Sequence, residues 1–257
     1  MINCNDMKND EITYVLKWMD KVDEKFIEDF LFVENAVFGG FTRELFETKY
    51  LNNIYGPSLI AIAYLDGKPV AADSMIRNDI NGVAYQSADT CVLEDCRGKG
   101  VFSQMKKKEI EAIGDDYTIF GFPNGNSFPG FIKMGWNIQR RLYPTIFLFP
   151  FMFNLENPKY IDFEYAKWLS VSRHRFYYFK CGRKYYLIKQ GQKHFQMIGR
   201  IEPNAALLFE RKKHPGIIKC FSKRKSFFNN SKYHGSIITY GKIPFDIPYW
   251  KCDTFIG

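Results

Sequence analysis

Arg97, Gly98, Lys99 and Gly100 lie between an apolar run that ends at Val92 and a helical pattern that opens at Val101. Two glycines let the backbone approach an anion closely, and a helix start carries partial positive charge. The two cations add charge-assisted contacts. A turn of this kind holds phosphate, so the expected ligand is a phosphorylated cofactor. Further on, Asn124, Ser127, Phe131, Lys133, Gly135 and Trp136 gather an amide, a hydroxyl and two aromatics into one short segment. Structural glycines, an Asn suited to a turn and a Ser suited to a helix cap would account for the same residues without any ligand.

The elements that must position these residues are legible upstream. Ile12 to Trp18 reads as a strand, and Asp23 has the chemistry of an N-cap for a helix over Glu24 to Asn35. Gly39-Gly40 breaks the chain, and Thr42 opens a second helix to about Leu51. Strands follow over Ser58 to Tyr64, Pro69 to Arg77 and Ala84 to Val92, joined at Asp66-Gly67 and Asn81-Gly82. On the helix Val101 to Ile113, the periodicity places Val101, Met105 and Ala112 inward and Lys106, Lys107 and Glu111 in solvent. Tyr117 to Gly121 is the next strand, and a short helix ends near Gly135.

Residues Arg97 to Gly100 resemble the pyrophosphate motif of the GNAT acyltransferase superfamily, Arg/Gln-x-x-Gly-x-Gly/Ala. Asn124, Ser127, Phe131, Gly135 and Trp136 fall in the register of that superfamily's next motif. The resemblance covers about residues 11 to 149. It implies an α/β (α+β) fold with a mixed, mostly antiparallel sheet flanked by helices, and acetyl-CoA or another acyl-CoA as cofactor. It also implies that the strand entering the turn splays from its neighbour, so that Thr90, Cys91 and Val92 give main-chain contacts to the pantetheine arm. Gly98, Lys99, Gly100, Val101 and Phe102 would surround the pyrophosphate with Arg97. Asn124 would hold the arm, and Ser127 would sit beside it. Two positions depart from the pattern: Phe102 is bulky where Gly or Ala is usual, and Phe131 replaces the Tyr that protonates the leaving thiolate.

Acyl transfer to an amine needs a neutral amine, and a carboxylate near the acceptor is the usual base. Asp89, on the strand entering the turn, and Asp73, on the strand before it, are the candidates, and Asp89 is preferred. A structural carboxylate on a strand is the alternative for either. Cys91 and Cys96 read as core or turn residues rather than acyl carriers.

Composition bounds the rest. The chain has 257 residues, 46% hydrophobic and 18% aromatic, enough for one large core or two small ones. Its net charge of +8 favours acidic partners, CoA phosphates among them, without choosing one. Six scattered cysteines and four histidines spaced by twenty show no zinc pattern, so no metal is expected. No signal peptide or membrane span is read, and a cytoplasmic protein is the expectation.

Pro150 and Asn157-Pro158 suggest a linker, dividing the chain into 1-150, an acyl-CoA-binding domain, and 151-257, a smaller α+β region. In the latter, helix Phe163 to Val171, a hairpin about Cys181-Gly182, a strand His194 to Ile201, a helix Pro203 to Lys213 and a strand Ser236 to Tyr240 suggest a degenerate second GNAT-like unit. An extension with no repeat ancestry fits equally. Lys219 to Phe228, basic and aromatic, reads as a solvated loop, with nucleic acid an unfavoured partner.

The expected activity is therefore acetyl transfer from acetyl-CoA to an amine, with an amino sugar or sugar nucleotide as the favoured acceptor. Two alternatives stand beside it: a FemAB-like aminoacyltransferase acting on a cell-wall precursor, and a non-catalytic acyl-CoA-binding module.

Overall fold

A computed structural model of the protein describes residues 12–147, 160–172, 174–222, 235–241 and 243–248. The chain packs as two units. One takes the chain through Gly121 with Gly130–Trp136 and Thr239–Gly241; the other takes Phe122–Pro129, Asn137–Ile238 and the residues after Gly241. The linker candidates Pro150 and Asn157-Pro158 lie outside the described residues, as do Cys4, Cys252 and His234.

In the first unit, strand β1 (Ile12–Trp18) leads to helix α1 (Glu24–Val37). The Asp23 carboxylate accepts from Phe26 N at 2.9 Å and caps α1. Thr42 does the same for α2 (Arg43–Phe46), accepting from Leu45 N at 3.2 Å, and the helix continues as a π turn over Glu47–Leu51. Strands β2 (Leu59–Leu65), β3 (Lys68–Arg77) and β4 (Ala84–Val92) form an antiparallel meander after β1. Helix α3 (Val101–Ile113) then crosses back to β5 (Thr118–Gly121), which pairs parallel with β4. The chain goes on into helix α4 (Phe128–Lys133).

Strand alternation divides the packing between the two faces of this sheet. On one face Phe30, Phe46 and Tyr50 pack with ring centroids 5.1–5.6 Å apart. On the other, Val101, Met105 and Cys96 pack against Ile12, Ala61, Ala63, Leu65 and Ala71. With helices on both sides, β2 is buried along nearly its whole length.

Two expectations for α3 fail. Ala112 is exposed, and the inward stripe is Val101, Met105, Glu109 and Ile113. Lys106, assigned to solvent, is fully buried, its ammonium 2.8 Å from Asp73 Oδ2 and 3.0 Å from Glu109 Oε2. Hydropathy cannot foresee a lysine that is buried because a carboxylate on another strand awaits it.

The second unit begins its main strand order at β6 (Asn137–Phe147) and adds β7 (Tyr160–Ile161) and helix α5 (Phe163–Ser170), which Asp162 caps. Strands β8 (Phe176–Cys181), β9 (Lys184–Gln190) and β10 (Phe195–Ile201) form an antiparallel meander. Phe179 and Tyr186 stack at 5.2 Å over a core that includes Ile188, Met197 and Ile218.

Here too the sequence reading needs correction. The helix expected over Pro203 to Lys213 is only α6 (Pro203–Ala206), after which Leu207 points outward and β11 (Glu210–Arg211) joins the edge of β8. The edge of β8 offers Glu210 and Arg211 backbone partners, and Leu207, 84% exposed, gives a longer helix nothing to bury at that position. The first part of the basic segment is not a loop: β12 (Ile218–Ser222) pairs with β10 on one side and β6 on the other. Its remainder, Lys223 to Phe228, lies outside the described residues. The last strand among the described residues is β13 (Gly235–Tyr240). No helix among the described residues is long and apolar enough to cross a membrane.

Candidate functional site

The turn after β4 is built by backbone geometry that only glycine adopts freely. Glu94–Cys96 form one 3-10 turn, and Arg97 Nε donates to the Val92 carbonyl at 3.0 Å, tying the loop to the strand end. Gly98 and Gly100 have φ of 77° and 79°, in the left-handed region, and a Cβ at either would meet nothing within 4 Å. The space over this turn is open. Gly100 is the N-cap of α3 and has no side chain to offer, and the first helical bond runs from Gln104 N to Gly100 O. The amides of Val101, Phe102 and Ser103 therefore have no acceptor within the helix. That donor set, with Arg97 and Lys99 in the same turn, suits a pyrophosphate.

Strand β4 changes partners along its length. It pairs with β5 from Ala84↔Thr118 to Ser87↔Gly121, and there the pairing stops. On its other edge the register against β3 jumps between Ala72↔Cys91 and Ser74↔Ala88, so Asp89 and Thr90 together face Asp73. This is a β-bulge, and Asp89 takes the left-handed φ of 43° that it requires. Beyond Ser87, the β5-side edge of Ala88–Val92 is left for an extended ligand, as a splayed pair of strands requires. The turn and this edge fit the polyphosphate and the arm of an acyl-CoA.

The bulge also sorts side chains between the two faces of the sheet. Asp89 meets α2 and its π turn: Lys49 Nζ lies 2.9 and 2.7 Å from its two carboxylate oxygens, and Tyr50 Oη donates to it. Tyr50 Oη also lies 2.9 Å from Ser74 Oγ. Burial, then the charge of Asp89, pushes the Tyr50 hydroxyl well above the usual tyrosine range. Asp89 keeps 15% of its side chain exposed, against 3% for Lys49.

Glu34, from α1, completes this group, and no signal in the sequence separated it from the other helix acids. It is 2% exposed, and burial together with the charge of Asp89 raises its carboxyl to about 8. The Cys91 thiol, hydrogen-bonded to Glu34, is pushed well up by burial and by that neighbour, which suits a core residue and not a nucleophile. In the unfolded chain Glu34 would ionise near 4.5, whereas in the folded chain it keeps its proton until about 8. Between those values the native state holds the extra proton, so stability falls as pH rises through the window. Glu34→Gln should flatten this decline, leaving the protein more stable than the wild type by roughly 3–5 kcal/mol at the alkaline end. Urea midpoints at about pH 5 and about pH 8.5 test this; an equal pH slope in both proteins would contradict it.

The opposite face carries a second buried group. Asp73 is fully buried, so it cannot meet an acceptor from solvent. Its Oδ1 accepts from Thr90 Oγ1 at 2.7 Å and its own neighbour Ser74 N at 2.9 Å, and its Oδ2 faces Lys106. Burial, then the charge of Asp73, drives Glu109 well above the carboxylate range. For Lys106 burial pulls downward, but the charges of Asp73 and Glu109 outweigh it and hold the ammonium above its ordinary value. Sequence pattern singled out Asp73 but separated neither Lys106 nor Glu109 from solvated counterparts.

Phe131 is 3% exposed and packs edge-on against Phe102 at 5.2 Å and Trp136 at 4.8 Å. The two departures from the motif thus pack against each other, and the Phe102 ring lies beside Gly130, where a Cβ would come within 2.8 Å of it. Asn124 Oδ1 accepts from Asn126 N at 2.9 Å and Ser127 N at 3.0 Å, closing the turn before α4. This is turn chemistry, and it leaves the Asn124 amide nitrogen as the group that could donate to a ligand.

No family model matches the chain. A search of curated proteins finds no match either. Solved structures do match in fold. A GCN5-related N-acetyltransferase from Kribbella flavida superposes with a TM-score of 0.53 at 10% identity, over 91% of this chain and 72% of that one. Eis1 from Mycobacterium abscessus gives 0.52 at 9% identity, over 88% of this chain and 73% of its own. Both matches extend well past the first unit. With a mostly antiparallel sheet flanked by helices and a splayed, bulged β4 leading into the glycine turn, the chain has the fold of the GNAT acetyltransferases.

Proposed function

We propose that the protein is an acyl-CoA-dependent acyltransferase that moves an acetyl group to an amine by direct attack in a ternary complex. The observation that carries this reading is the continuity of one edge: β4 loses β5 at Ser87, bulges at Asp89 and runs straight into the Gly98–Gly100 turn. An acyl-CoA, when bound, supplies an activated acyl group on a thioester. Arg97, Lys99 and the first amides of α3 would take its pyrophosphate, and the main chain of Thr90, Cys91 and Val92 its arm.

Asp89 is the base we propose. Its carboxylate already accepts from Lys49 and Tyr50, an arrangement that orients it, and its side chain stays 15% exposed. It would take the amine's proton directly or through one water. Calorimetric titration with acetyl-CoA tests the cofactor: binding supports the reading, its absence would shift weight to an aminoacyl-tRNA donor, and binding without turnover of any amine would leave the non-catalytic acyl-CoA-binding module. Once an amine acceptor is in hand, Asp89→Asn should lower the rate by about 10²-fold or more while acetyl-CoA still binds. An unaltered pH–rate profile in that variant would exclude Asp89.

A further inference from the structure

Because Phe131 has no proton to give, nothing named so far steadies the charge that sulfur acquires as the acyl group leaves. The closed end of the β4–β5 gap carries a group that can. Ser87 and Gly121 are the last paired residues, so an arm laid along Ala88–Val92 from the glycine turn ends beside Ser87. Lys106 Nζ donates to Ser87 Oγ at 2.8 Å. A hydroxyl oxygen that accepts from an ammonium turns its own hydrogen away from it, toward another acceptor. The same ammonium stands 5.9 Å from the centre of the Phe131 ring, under the residue that replaces the usual acid.

The surroundings keep Lys106 charged and fixed. Facing it are Asp73 and Met75 from β3, Ser87 from β4, Glu109 from α3 and Phe131 from α4. Asp73 is itself anchored by Thr90 at the bulge, which joins the position of the ammonium to the shape of the gap.

We propose that Ser87, polarised and oriented by Lys106, donates a hydrogen bond to the thioester sulfur and holds the thiolate as it departs. The inference rests on the acyl-CoA reading above. As the acceptor nitrogen forms its bond to the acyl carbon, the carbon–sulfur bond breaks and its electron pair stays on sulfur. The amine's proton goes to the base, and Ser87 and Lys106 keep theirs. Ser87 touches the reacting atom; Lys106 acts through it as a positioning residue, strengthening the bond by its charge in a site with little water.

Free CoA tests this without any acceptor, because its thiol ionisation can be followed by the ultraviolet absorbance of the thiolate. Bound to the wild-type protein, the thiol should ionise at least about one pH unit below its value in solution, a tenfold gain in thiolate. Ser87→Ala should lose this shift while acetyl-CoA still binds, and Ser87→Thr should restore most of it. Lys106→Met should lose it too, but Ser87→Ala decides the matter if that variant does not fold. CoA bound with an unshifted thiol, or a full shift in Ser87→Ala, would overturn the inference alone. CoA that does not bind at all would overturn both it and the acyl-CoA reading.

Discussion

Gly100→Asp is expected to lower acetyl-CoA affinity by at least about 100-fold, roughly 3 kcal/mol, while the protein stays folded. The turn amides and the α3 N-terminus attract an anion, and a carboxylate fixed among them both occupies the space and repels the pyrophosphate. The fold should survive because a Cβ at residue 100 meets nothing within 4 Å. What remains is the strain of a side chain at φ 79°, about 1–2 kcal/mol and least for Asn and Asp. Gly100→Ala separates the two effects, since it carries the strain without the charge. Calorimetry on both variants, beside circular dichroism, makes the test. A folded Gly100→Asp protein with wild-type affinity would remove the turn from the cofactor site.

Lys106→Met is expected to destabilise the protein by about 3–5 kcal/mol, the cost of removing one partner from a buried ion pair. The length of methionine nearly matches the lysine stem, so the packing loss is small and the penalty is electrostatic. Asp73, with no exposed surface, would lose the ammonium 2.8 Å away. Glu109 contributes less, because burial and Asp73 already favour its neutral form. It follows that Lys106→Met combined with Asp73→Asn should recover a good part of the loss, whereas Glu109→Gln in place of Asp73→Asn should recover little. Urea denaturation of the three variants measures both. A cost under about 1 kcal/mol for Lys106→Met, the range of exposed pairs, would mean that the lysine reaches water.

The two buried groups belong to one design. Asp89 with Lys49, Tyr50 and Glu34 lies on the α1–α2 face, and Asp73 with Lys106, Glu109 and Ser87 lies on the α3 face. Asp73 and Asp89 meet across the bulge, one residue of β3 opposite two of β4. Charges buried in this way are costly to assemble and sensitive to position, which is expected where a site must hold its geometry while chemistry proceeds.

Local pattern was enough for the glycine turn before α3, the caps at Asp23 and Thr42, the hairpins at Asp66-Gly67 and Asn81-Gly82, and the order of elements through Gly121. Each depends on dihedral preferences and hydrogen bonds among residues a few positions apart, so the sequence carries it directly. It also sufficed to place Asp89 close before the turn. Strict alternation, though, would have put Asp89 on the same face as Ser87. Only the bulge against β3 sends it to Lys49 and Tyr50, and a bulge is a property of two strands rather than one. Lys106 shows the same limit more sharply, because its spacing on α3 resembles that of a solvated lysine until Asp73, 33 residues earlier, is folded against it. Glu34 differs from the other acids of α1 only in what packs over it. Where a side chain's free energy is set by a charge brought from another element, tertiary structure alone decides whether it is surface, scaffold or site.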